Sequence, residues 1–114
     1  MDDRDLYAAL LDAARHNRPV ALATVVRAKG STPRDAGSRM LMDAEGRAVG
    51  TIGGGCGEAE VLEAAREVIR SGRPRLLRVE LTEDVESWSP AVCGGVMDVF
   101  VEPVRASEPG ERTA

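Results

Sequence analysis

The stretch Gly50-Thr51-Ile52-Gly53-Gly54-Gly55-Cys56-Gly57-Glu58 joins a strand pattern to a helix pattern and contains five glycines. Glycine has no Cβ, so the backbone N–H groups of this stretch can come close to a ligand. A helix that begins at about Gly57 would add its unpaired N–H groups and the positive end of its dipole, which favour phosphate or another anion. Cys56 would lie at that end, where the pKa of a thiol is lowered and its reactivity rises. The stretch therefore predicts an anion site beside a reactive thiol.

The residues on either side of this stretch predict a hairpin before it and a helix after it. Residues 38–42 and 47–52 have the pattern of two strands around a turn at 43–46, with Gly46 where positive φ is needed. From 57 to 71, apolar residues recur at helical spacing behind acidic residues in the first turn, and Gly72 is in place to cap the end. The hairpin and the helix thus flank the glycines.

The rest of the chain adds one helix and three strands to this centre. A short amphipathic helix precedes Pro19, and His16 near its end is expected to interact with the helix dipole. The continuous apolar run 20–26 predicts a central strand buried on both faces, and alternation predicts strands at 77–81 and 97–102. The expected fold is α/β: a single small domain over residues 1–104, with a mixed β-sheet of about five strands and two main helices. Residues 105–114 are expected to form a polar C-terminal tail.

Two further segments resemble the central stretch in composition, and we interpret all three as parts of one site. They are Gly30-Ser31-Thr32-Pro33-Arg34 and Cys93-Gly94-Gly95. Residues 27–39 also carry a local charge of +3 inside an acidic protein, which indicates a compact anionic ligand; the charged residues are Arg27, Lys29, Arg34 and Arg39 against Asp35. A solvated loop and packed cysteines remain the alternative interpretation.

Composition excludes several classes of function. The net charge of −4 argues against general nucleic-acid binding. No apolar run is long enough to span a bilayer, and the acidic N-terminus is unlike a signal peptide, so a cytoplasmic location is expected. The spacing of the glycines does not fit a Rossmann or P-loop motif. The two cysteines and the one histidine do not form a self-contained zinc site, and the one histidine does not support a Ser-His-Asp triad.

The same motifs resemble the XdhC/CoxI family, specifically its N-terminal domain. The resemblance runs from about Leu6 to Val104 and rests on ordered segments: Gly30 to Arg34, Gly37-Ser38-Arg39-Met40-Leu41, Gly50 to Cys56 followed by Glu58, Cys93-Gly94-Gly95 and Val101-Glu102-Pro103. The family is associated with maturation of molybdenum hydroxylases such as xanthine dehydrogenase and carbon monoxide dehydrogenase. The resemblance implies a chaperone that holds molybdenum cofactor, as molybdopterin or its dinucleotide form, and hands it to the apoenzyme.

The resemblance also implies roles for individual residues. Gly53, Gly54 and Gly55 would cradle the pterin phosphate, and Arg34 and Arg39 would neutralise it. Cys93, with Cys56 second, would approach the molybdenum or its sulfur, so Cys93 is the candidate metal-facing ligand. Ser31, Gly94 and Gly95 complete the implied cofactor-binding set.

Two departures from the family pattern affect the expected partners. Val92 precedes Cys93 where longer members often have paired cysteines, and no counterpart of their C-terminal Rossmann-like domain is found in this sequence. The expected partners are an apo molybdenum hydroxylase, a sulfurtransferase, further copies of the chain and a separate Rossmann-like subunit.

Three functions remain open on the sequence. The first is a cofactor chaperone without turnover of its own. The second is a thiol-dependent sulfur-transfer or redox enzyme that uses Cys93 or Cys56. The third is a regulatory subunit that binds an ordinary nucleotide.

Overall fold

The computed structural model describes residues 3–30, 36–50, 52, 57–80 and 95–104. These residues form two helices and five strands, which confirms the predicted α/β class and the predicted number of elements. In chain order they are α1 (Asp3–Arg15), β1 (Val20–Lys29), β2 (Arg39–Asp43), β3 (Ala48–Gly50), α2 (Glu58–Ser71), β4 (Arg75–Glu80) and β5 (Val96–Val104).

The five strands form one sheet in the order β3-β2-β1-β5-β4, so the predicted central strand is indeed central. A mixed sheet was expected, but all four pairings among the described residues are antiparallel. The unit β3-α2-β4 could give a parallel pair only if its two strands were neighbours. They lie at opposite edges of the sheet instead, and every neighbouring pair runs in opposite directions.

Helix α2 covers one face of the sheet and buries the main core. Its apolar stripe packs against the inward residues of β1, β2, β4 and β5, which include Val25, Val79 and Val99, each fully buried. Gly72 ends α2 at φ +74 and donates its N–H to Val68 O at 2.8 Å, which confirms the predicted cap.

Helix α1 covers only part of the opposite face. Leu6 and Ala13 of α1 pack with Val20 and Leu41 in a second cluster over β1 and β2. We call the remaining part of this face, over β5 and β4, the open face; there Leu76 is 64% exposed. No helix of the described residues has the length and apolar character needed to cross a membrane.

The turn between β2 and β3 is held by the carboxylate of Asp43. The backbone N–H groups of Glu45 and Arg47 donate to Asp43 Oδ1 at 3.0 and 2.9 Å, and Arg47 Nε donates to Oδ2 at 2.7 Å. Burial by itself would raise the pKa of Asp43, but these hydrogen bonds and the charge of Arg47 hold that pKa below its usual value. The predicted turn at 43–46 is confirmed, with Gly46 at φ +91.

Replacing Asp43 with alanine should lower the free energy of unfolding by about 2 kcal/mol at neutral pH, because two backbone N–H groups and a guanidinium lose their acceptor. Since the pKa of Asp43 is lower in the folded than in the unfolded state, its charge stabilises the fold fully above about pH 5. That contribution disappears as the pH falls through the folded-state pKa. Urea unfolding at several pH values checks this, and a wild-type-to-variant difference that does not shrink in acid would contradict it.

Candidate functional site

The described strands that flank the three segments assigned to one site by the sequence all point their motif-bearing ends in the same direction. β1 and β3 are both antiparallel to β2, so they run in the same direction, toward Lys29 and Gly50. β2 lies between them, and the register sets Gly50 level with Ala23, so β1 continues beyond the end of β3. β5 runs opposite to β1 and pairs its first residue, Val96, with Lys29. Segments 30–34 and 50–58 therefore leave the sheet at the end where segment 93–95 enters it. We call this the loop end of the sheet.

Most of the predicted cofactor-binding residues lie outside the described part of the chain. They are Ser31, Arg34, Gly53, Gly54, Gly55, Cys56, Cys93 and Gly94. Arg39 and Gly95 are described: Arg39 begins β2, and Gly95, which is buried, directly precedes β5. The predicted tail at 105–114 also lies outside the described residues.

Strands β1 and β5 project beyond their neighbour β2 at the loop end. β2 begins at Arg39, opposite Thr24, whereas β1 continues its pairing with β5 as far as Lys29. The register of the β1–β5 pair shifts between Val25 and Arg27, a β-bulge that turns the local strand direction. Residues beyond the bulge thus lie close to Gly30 and Gly95, the described ends of two of the motif segments.

Asp98, on this projecting pair of strands, interacts with three cations, Arg78, Arg27 and Lys29. In the register, Arg27 of β1 and Arg78 of β4 stand on either side of Asp98, and Arg78 Nε donates to Asp98 Oδ1 at 3.0 Å. That hydrogen bond, followed by the charges of Arg78, Arg27 and Lys29, holds the pKa of Asp98 below its usual value. The Asp98 carboxylate therefore stands among three cations, and Arg78 also interacts with the charge of Glu80.

Sequence reasoning missed Asp98 and Arg78. Their alternation with apolar residues places each on the polar side of its strand, but 20 positions separate them. Only the strand register brings them together, and no local pattern reveals it.

Arg39 is held by α1. Its Nη2 donates to the hydroxyl of Tyr7 at 2.9 Å, and its guanidinium carbon lies 5.4 Å from the centre of the Tyr7 ring. A guanidinium over an aromatic face is a favourable arrangement that also fixes the side chain. The side chain of Arg39 is therefore already in contact with Tyr7 of α1.

Helix α2 begins at the predicted position, directly after Gly57, with acidic residues in its first turn. Gly57 has φ +75 and gives the helix no side-chain cap. Glu58 and Glu60 occupy the first turn, where carboxylates interact favourably with the positive end of the dipole. An anion bound there would compete with these two carboxylates.

The described residues contain no group of three metal-binding side chains. His16 Nδ1 lies 2.9 Å from the carbonyl oxygen of Asp12, in the last turn of α1. The ring therefore interacts with the C-terminal part of the helix, as expected for a dipole partner. The predicted metal-facing residue, Cys93, lies outside the described residues.

Comparison with known proteins places these features in a family. Residues 13–80, more than half of the chain, match the model of the XdhC and CoxI family. The chain is 39% identical over 85 residues to the uncharacterised protein YqeB of Escherichia coli strain K12, which covers 75% of the chain and 16% of YqeB. It is 29% identical over 110 residues to the molybdenum cofactor insertion chaperone PaoD of the same strain, covering 95% of the chain and 34% of PaoD.

Two further comparisons agree with the first. A probable xanthine dehydrogenase subunit of Bacillus subtilis strain 168 is 33% identical over 101 residues, which cover 86% of the chain and 31% of that protein. The crystal structure of a xanthine dehydrogenase from Bacillus halodurans superposes with a TM-score of 0.78 at 32% identity, covering 94% of this chain and 32% of the other. The chain spans about a third or less of the length of these relatives. From the matched residues and the shared fold, the chain belongs to the XdhC and CoxI family.

Proposed function

We propose that this chain binds molybdenum cofactor and delivers it to a molybdenum hydroxylase of the xanthine dehydrogenase or carbon monoxide dehydrogenase type. The observation that carries the proposal is that the strands flanking the three motif segments point their motif-bearing ends toward one end of the sheet, the loop end. The match to the family and the likeness to a molybdenum cofactor insertion chaperone support it. Maturation of such enzymes takes place in the cytoplasm in this proposal.

The described residues at the loop end suit an anionic cargo. Arg27, Lys29 and Arg78 stand around Asp98, and Glu80 also interacts with Arg78, so three cations face two carboxylates and one positive charge in excess can attract the phosphate of a pterin or pterin dinucleotide. Phosphate oxygens accept hydrogen bonds from arginine in a forked geometry that also orients the ligand. In this proposal the cations at the loop end attract the cofactor and bind its phosphate.

In the proposal the residues of the motif segments complete the site. Backbone N–H groups of the glycine segments cradle the phosphate, Arg34 and Arg39 neutralise it, and a soft thiolate faces the molybdenum or its sulfur. The full set is Ser31, Arg34, Arg39, Gly53, Gly54, Gly55, Cys56, Cys93, Gly94 and Gly95. The form of the cofactor is molybdopterin or its dinucleotide.

The remaining partners are part of the same proposal. An apo molybdenum hydroxylase receives the cofactor, and a sulfurtransferase installs its terminal sulfur. A Rossmann-like unit, which completes the site in this proposal, would be supplied by a separate subunit.

A hand-over assay separates a carrier from an enzyme. The chain is purified with bound cofactor, mixed in rising amounts with a fixed excess of apo xanthine dehydrogenase, and the regained hydroxylase activity is measured. A carrier should restore at most one active site for each loaded copy, because it turns over nothing. Reactivation of many copies of a hydroxylase that already holds cofactor without its terminal sulfur, dependent on an added sulfur donor, would instead favour the sulfur-transfer enzyme.

Two variants provide controls for the hand-over assay. Gly54→Trp should abolish loading, since a bulky side chain fills the space that bare backbone leaves for the phosphate. Arg15→Gln, at the end of α1 away from the loop end, should load and deliver like wild type. Equal delivery by both variants would contradict the proposed role of the glycine segment.

A further inference from the structure

Three charged side chains form a row across the sheet near the loop end. Asp98 alternates along β5 with Met97 and Val99, which are buried in the core beneath α2, so its side chain lies on the open face. In the register, Arg27 of β1 and Arg78 of β4 stand on either side of Asp98, on the same face. The row therefore sets one carboxylate between two guanidinium groups.

The two members of the Arg78–Asp98 pair differ in their exposure to solvent. The side chain of Asp98 is only 13% exposed, whereas that of Arg78 is 63% exposed. An anion that approaches the open face from solvent therefore meets the guanidinium before it meets the carboxylate. Asp98 can influence such an anion through the arginine that it holds.

Asp98 binds one edge of the Arg78 guanidinium. Arg78 Nε donates to Asp98 Oδ1 at 3.0 Å. A phosphate binds a guanidinium best through two parallel N–H groups, which are either Nε with one terminal nitrogen or the two terminal nitrogens. Because Asp98 already accepts from Nε, a phosphate must use the two terminal nitrogens, close to a negative charge that opposes its binding.

We propose that Asp98 competes with the anionic cargo for Arg78 and so limits the affinity of the loop end for phosphate. This inference rests on the proposed function, in which the loop end binds the phosphate of the cofactor. A carrier must release what it binds, and a carboxylate that is always present beside the arginine favours that release. Asp98 acts through Arg78, so it is a positioning residue rather than a ligand.

The neighbouring charges determine how large the effect of Asp98 should be. Arg27 and Lys29 of β1 act on Asp98 through their charges, and Glu80 of β4 acts on Arg78 in the same way. Removal of the Asp98 charge would raise the local excess from one positive charge to two. At a separation of a few ångströms near a protein surface, one such charge changes the affinity for a divalent anion by about tenfold.

Sulfate titration of the full chain at constant ionic strength tests the proposal, with the amide chemical shifts of β4 and β5 as the readout. Sulfate is a divalent anion that binds arginine as phosphate does. Asp98→Asn should bind sulfate about tenfold more tightly than wild type, because asparagine keeps an oxygen that accepts from Arg78 Nε but carries no charge. Arg78→Gln should bind sulfate more weakly than wild type. Loaded with cofactor, Asp98→Asn should also deliver it more slowly in the hand-over assay.

Two other carboxylates provide comparison variants. Glu67 of α2 lies 2.6 Å from Arg75 at the far end of β4, so Glu67→Gln removes the same charge and releases an arginine away from the loop end. Its sulfate affinity should change by about twofold or less, because screening weakens distant charges. Glu80→Gln should give a gain smaller than that of Asp98→Asn, since Glu80 acts on Arg78 through its charge alone.

Three results would overturn the inference. The first is an Asp98→Asn variant, folded by circular dichroism, that binds sulfate no more tightly than wild type. The second is an equal gain in Glu67→Gln, which would reflect net charge alone. The third is an undiminished gain from Asp98→Asn in the Arg78→Gln background, since Asp98 would then not act through Arg78. The sulfate readout uses no cofactor, so the proposed function fails separately, on a wild-type chain that carries no pterin.

Discussion

Replacing Gly50 with alanine should lower the free energy of unfolding by about 3 kcal/mol, because two separate costs fall on one residue. Gly50 has φ +89, a conformation that side chains disfavour. A Cβ there would also lie 2.6 Å from the carbonyl oxygen of Arg39. That oxygen belongs to the backbone of β2, so it cannot turn aside, and the pairing of β2 with β3 must shift.

Two other glycines provide matched controls for Gly50. Gly37 has φ +97, and no atom of the described residues lies within 4 Å of the missing Cβ. Gly46 has φ +91 with ordinary contacts to Leu62 and Arg66 among those residues. Alanine at either position should cost only about 1 kcal/mol, from backbone strain alone. Urea unfolding of the three variants measures the difference. Equal losses in all three would show that the close approach to Arg39 has no energetic consequence.

Replacing Cys93 with serine should remove most of the cofactor that the purified chain retains, while the fold persists. A serine hydroxyl stays protonated at neutral pH and is a harder ligand than a thiolate, so it cannot replace a soft contact to molybdenum or sulfur. Cys56→Ser should have the smaller effect. This order follows the family resemblance; the helix dipole by itself would favour Cys56.

Circular dichroism and pterin content, measured on the same preparations, check the two cysteine variants. Unchanged spectra with lost pterin would separate a binding role from a structural one. If the double serine variant kept its cofactor, both cysteines would be packing residues and the glycines would serve only the turn.

Elements with a strong local pattern could be predicted from the sequence. The apolar stripe and Gly72 locate α2 to within one residue of its observed start, Glu58, and the run of apolar residues from Val20 identifies the central strand. The expectation that this strand is buried on both faces is wrong at Val26, which is 51% exposed. The β-bulge there interrupts the alternation of faces, and no residue in the run signals it.

Features that depend on distant partners could not be predicted. The contact between Arg39 and Tyr7 spans 32 positions, and the pair of Arg78 with Asp98 depends on strand register. The three motif segments could be assigned to one site because their composition is unusual, and strand direction brings their flanking residues to one end. The roles of individual motif residues remain predictions.

The central claim is that this chain carries molybdenum cofactor at the loop end of its sheet. The most direct test is the molybdenum and pterin content, by mass spectrometry and absorption, of the chain purified from cells that make the cofactor and from cells that cannot. We predict close to one pterin per copy in the first preparation and none in the second. A chain without pterin from both sources, or one that carries an ordinary nucleotide instead, would contradict the account.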